Sequence, residues 1–153
     1  KCILDLKGVF MNKGLLVATI LSISCSSFVF AEDACDETTL HGYMTNIKDE
    51  MRLMSSDVKA GDNDAAVQRV DTLISFFEKA RNETPYKFSA DNLQGGQLKE
   101  QTSEYTKVVD DTIVILKKLE NALESGDTTQ VKVLFGEIGG QRKLGHGSFK
   151  ANC

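Results

Sequence analysis

Few side chains in this sequence could hold an iron or move a proton. There are two histidines, His41 and His146, with four methionines and four cysteines. A Ser-His-Asp set would have to recruit one of the two histidines, and no motif places it. A zinc site needs paired Cys and His ligands at short spacings, and the Cys and His of residues 32–153 form no such pair. A carboxylate di-iron centre needs Glu-x-x-His repeats, and Glu37-Thr38-Thr39-Leu40-His41 has the wrong spacing. An enzyme is therefore not expected. A thioether and an imidazole facing each other across a gap in an apolar core can ligate a haem iron, with methionine raising its potential. Met44 and His146 offer such a pair, although a seam methionine usually packs in a core and a histidine near a terminus is usually solvated. No Cys-x-x-Cys-His occurs, so a haem here would be held without thioether bonds to the chain. His41 competes as a ligand because it lies three residues before Met44 on a broad common face. It sits off the apolar seam, and a surface role is expected for it.

The elements that must position Met44 and His146 are helices. Leu40, Met44, Ile47, Met51, Met54 and Val58 alternate at spacings of four and three, one apolar seam on a first helix. Met51 and Met54 read as core packing. Thr38 or Thr39 can cap its start, and Gly61 ends it. Asp62 or Asn63 caps a second helix with the seam Ala66, Val70, Leu73, Phe77 and Ala80, ending before Pro85. Residues 84–96 carry the one proline and a Gly-Gly pair, and read as a loop with no helix. A third helix runs from about Gln97 to Ser125 on Tyr105, Val109, Thr112, Leu116, Leu119 and Leu123. Gly126 ends it and Asp127 caps the fourth. In the fourth, Leu134, Ile138, Arg142, Gly145, His146 and Phe149 share a face, but Gly136, Gly139, Gly140, Gly145 and Gly147 crowd it. Each costs about 0.5–1 kcal/mol against alanine in a helix interior, so this helix needs tertiary support or a bound ligand. Two short connections and one long one predict an all-α fold, an antiparallel up-down-up-down four-helix bundle. Its first and fourth helices are neighbours, with Met44 and His146 at one level.

The 153 residues suit one domain. A net charge of −4 gives no electrostatic case for binding nucleic acid. Residues 1–31 read as upstream residues followed by a secretory signal peptide. Lys13 follows Met11, an apolar stretch runs from Leu15 to about Ile23, and Val29 and Ala31 stand at the small-residue positions before a cleavage site. That stretch is too short for a permanent membrane anchor. Ser22 stands where a lipid-anchor site would want leucine before Cys25. Cleavage after Ala31 leaves residues 32–153 as a single exported domain. It retains Cys35 and Cys153, one near each end, in an oxidising compartment. Both termini of such a bundle lie at one end, so the two cysteines can meet. The bond would stabilise by roughly 4–5 kcal/mol in the chain-entropy picture.

Residues 38–150 resemble the soluble cytochrome b562 family. The matching pieces are Leu40-x-x-x-Met44-x-x-Ile47, Glu83-Thr84-Pro85, the Glu124-Ser125-Gly126 turn and Ile138-x-x-x-Arg142-x-x-x-His146-x-x-Phe149-Lys150. The resemblance implies a periplasmic electron-transfer protein carrying one non-covalent haem b. Its axial ligands would be Met44 and His146. Leu40, Ile47, Pro85, Tyr105, Val109, Ile138 and Arg142 would line the pocket, Arg142 lying near the haem and its propionates. A monomer is expected, with a redox partner protein of unknown identity. Val109 stands where the family has a larger aromatic, and the glycines of the last helix replace side chains, which leaves the pocket looser. The second reading is a haem-free periplasmic helical bundle with a binding or stress-related role, favoured by those glycines.

Overall fold

The computed structural model describes residues 37–152. The segment read as a signal peptide and the cysteines Cys35 and Cys153 lie outside the described residues. Five helices follow in order: α1 (Thr39–Ala60), α2 (Asn63–Ala80), α3 (Tyr86–Ala90), α4 (Gly95–Glu124) and α5 (Thr128–Phe149). The described residues form no strand.

The helix boundaries have local causes. The Thr38 hydroxyl oxygen accepts the His41 N–H at 3.1 Å and caps α1. Gly61 ends the helix at φ 78°, a conformation that costs other residues a Cβ clash. The Asp62 carboxylate accepts the Ala65 N–H and caps α2. The Asp127 carboxylate accepts from the Thr129 and Gln130 N–H groups and caps α5. α4 begins two residues earlier than its seam suggests.

The long connection departs from expectation, since it contains α3. Pro85, at φ −57°, is preorganised for a first helical turn. Phe88 one turn on is 2% exposed and packs edge-on against Phe149, with centroids 6.1 Å apart. A five-residue helix has little stability of its own. Burial of one aromatic ring holds this one.

Side-chain contacts fix the relative directions of the long helices. Arg69 of α2 pairs with Glu50 at 3.3 Å and Asp57 at 3.4 Å on α1, and Tyr43 meets Phe76. The Asn63 side-chain amide donates to the Leu123 carbonyl at the start of α2. At its other end, the Tyr105 hydroxyl donates to the Ala80 carbonyl at 2.6 Å, and Arg81 makes a two-pronged pair with Asp110. Tyr105 meets Phe149 edge-on at 5.5 Å. One core draws on all four long helices: Ile47 and Met54, Val70 and Leu73, Leu116 and Leu119, Leu134 and Ile138. A second cluster of Phe88, Tyr105, Val109, Ile113 and Phe149, with Leu40 against it, closes one end.

Candidate cofactor site between the first and last helices

α1 packs on α2, α2 on α4 and α4 on α5, whereas the backbones of α1 and α5 do not pack closely on one another. Register shows what borders that side. On α1, Tyr43, Glu50 and Asp57 point toward α2, as their partners show. Positions 44, 51 and 55 therefore fall on the opposite flank, past the core line of Leu40, Ile47 and Met54. Met44 and Met51 are half-buried against the core. On α5, Gly145 faces α4, where a Cβ would lie 3.5 Å from Val108. Phe135, Gly139, Arg142 and His146, at spacings of four, three and four, fall on the flank away from α4.

The level matches as well. Tyr43 opposite Phe76, Ala80 opposite Tyr105 and Tyr105 opposite Phe149 set residues 40–44 and 145–149 at the same end. Of the residues singled out from sequence, Leu40, Tyr105 and Val109 meet in the end cluster. Ile47 and Ile138 are buried in the main core, with Met44 packed against it. Pro85 is buried at the start of α3. Arg142 and His146 are exposed. The single face read for the last helix thus divides: Leu134, Ile138 and Phe149 are inside, while Arg142 and His146 stand at the α1 edge. His41 is exposed at the outer margin of α1. Sequence reasoning missed Phe88, whose role shows only when α3 folds over Phe149.

The electrostatics favour a neutral imidazole. Partial burial, then Arg142, then Lys150 push the His146 pKa below its ordinary 6.5. A neutral ring has a free nitrogen for a metal. The shift makes the fold bind the proton less well than the unfolded chain does. The contribution is complete above pH 6.5 and is lost as pH falls through the folded value. Arg142 makes no hydrogen bond or ion pair among the described residues, so its guanidinium is available to an anion.

An all-helical bundle with a thioether packed against its core and an imidazole at its edge, at the same end, has the frame of a haem-binding helical cytochrome. The cytochrome b562 family model matches residues 39–150, and the chain belongs to that family. Comparison with curated proteins and with solved structures gives no match. The family implies haem of the b type. The donor set fits it: one soft sulfur, one imidazole, aliphatic and aromatic walls, and a guanidinium at the rim. No helix among the described residues is long and apolar enough to cross a membrane.

Proposed function

We propose that this chain is a periplasmic electron carrier, not an enzyme. In this reading its four long helices close as an antiparallel up-down-up-down bundle around one non-covalent haem b, with Met44 and His146 as axial ligands. The observation that carries the reading is that Met44, packed against the core, and His146, at the exposed edge of α5, stand at the end where Leu40 and Phe149 cluster. Haem there would supply a one-electron iron couple, with methionine favouring the reduced state. Leu40, Ile47, Pro85, Tyr105, Val109 and Ile138 would exclude water from it. Arg142, one turn before His146, would hold its propionates by charge-assisted hydrogen bonds. The signal pattern supports export. Leu40 and Phe149 share a cluster at one end, which supports a Cys35–Cys153 bond in a monomer starting near Glu32. Intact mass of the exported form checks both, and two free thiols would remove the bond.

Spectra of the purified protein supplied with haem test the ligands. The reduced wild type should be low-spin. Met44→Ala should turn the iron high-spin with some haem retained, and His146→Ala should lose most of it. His41→Ala should change little. A low-spin spectrum that survives Met44→Ala but not His41→Ala means two histidine ligands. A colourless wild type points to the haem-free reading.

A further inference from the structure

Charge is distributed unevenly over this acidic chain, and the unevenness follows the helices. In α5, Lys132, Arg142 and Lys143 are basic and Glu137 is the one acid, with Lys150 just beyond the helix. In α1 the acids Glu50 and Asp57 turn toward α2, where Arg69 pairs with both. Asp49 lies 3.8 Å from Arg52. Lys48 and Lys59, eleven residues apart, fall on the other flank, outside Met44 and Met51. Lys132 and Lys143, also eleven apart, and Lys150 line up outside Arg142 and His146 on α5.

Arg69, Arg81, Lys87 and Lys107 each hold an acid, while Lys79 on α2 and Lys99, Lys117 and Lys118 on α4 make no ion pair among the described residues. Lys48, Lys59, Lys132, Arg142, Lys143 and Lys150 are exposed and make no ion pair among the described residues. Two rows of uncompensated cations therefore border the α1–α5 side. The acids Asp64, Asp71, Glu78, Glu100, Glu104 and Glu120 sit on α2 and α4.

We propose that the α1–α5 side is the docking surface for an acidic protein partner. Basic rows on a chain of net charge −4 create a dipole that steers an anionic surface to this side and repels it from α2 and α4. The charge complementarity stands on the residues above. The consequence that docking brings a redox partner to the haem edge rests on the function proposed here.

The test uses a fluorescent polyglutamate peptide as the acidic probe and the full chain, with and without haem, titrated by anisotropy. Lys48, Lys132 and Lys143, all changed to Glu, should weaken binding by roughly tenfold or more at low salt. Lys99, Lys117 and Lys118 on α4, changed to Glu, alter net charge equally and should weaken it by less than about threefold. Raising salt from about 20 to about 150 mM should erase most of the difference. Equal weakening by the two triple variants, or no binding to wild type at low salt, overturns the proposal. So does tighter binding to anionic phosphatidylglycerol vesicles than to the peptide. Peptide binding by a chain that takes up no haem would remove the haem reading and leave the docking surface standing.

Discussion

α4 and α5 lie side by side and are built on opposite terms. α4 buries Tyr105, Val109, Thr112, Ile113, Ile115, Leu116, Leu119, Ala122 and Leu123 and touches a helix on either side. α5 buries Val131, Leu134, Ile138 and Phe149 and packs closely on α4 alone. The glycines of α5 are not there for close approach. A Cβ at Gly136, Gly139, Gly140 or Gly147 would meet nothing within 4 Å, and at Gly145 it would make an ordinary contact with Val108. α4 is therefore a scaffold whose sequence is set by packing. α5 is held at a few points and left intrinsically weak along the rest, on the helix that carries Arg142 and His146. A helix weak by itself gains most from a ligand that binds only the folded state.

The largest expected effect comes from removing the scaffold's centre. Leu116 is fully buried where α2, α4 and α5 share one core. Leu116→Ala should cost about 2–5 kcal/mol in urea unfolding of the haem-free protein. The loss should be global and appear equally in probes on α1 and α5. A variant that melts α5 alone and leaves the rest folded would mean that α4 is not the common support.

The next effect concerns Tyr105, which ties α4 to α2 through the Ala80 carbonyl and carries the end cluster against Phe149. Burial first, then the Glu83 charge, raises its pKa from 10.0 to about 12. The neutral phenol is the form that the fold prefers. Its contribution, roughly 3 kcal/mol for two pH units, is fully present below pH 10 and is lost as pH rises through 12. Tyr105 should ionise late in an ultraviolet titration, together with alkaline unfolding. Tyr105→Phe should remove that late step. A Tyr105 that titrates at its ordinary 10.0 would show the end cluster to be open.

How much of this was legible in the sequence differs between the same two regions. The seam of α4 was readable because alternate spacings of three and four carry large apolar side chains with no competing signal. The cap at Asp127 was readable, and those at Thr38 and Asp62 to within one residue, because an oxygen one residue before a helix has one strong use. α3 was not, because Pro85 and a Gly-Gly pair signal a loop, and the burial of Phe88 against residue 149 is a non-local fact. In α5 six residues share one arc of the wheel, but only contacts distinguish the α4 side from the α1 side. That distinction put Ile138 inside and left Arg142 and His146 at the edge.

The smallest effects test whether the weakness of α5 has a purpose. Gly136 and Gly140 are exposed, in helical conformation and unobstructed. Alanine at either should stabilise the haem-free protein by about 0.5–1 kcal/mol, because it reduces the freedom of the unfolded chain. Gly139 is equally unobstructed but lies between Phe135 and Arg142 on the flank bordering α1. Gly139→Ala should give the same gain in thermal unfolding of the haem-free protein. With haem, the three variants should part: Gly136→Ala and Gly140→Ala should retain it at least as well as wild type, and Gly139→Ala less well, since its methyl group occupies the wall of the site. Equal haem retention in all three would show that Gly139 does not border the cofactor, and the glycines of α5 would then be a weakness of the helix with no bearing on its ligand.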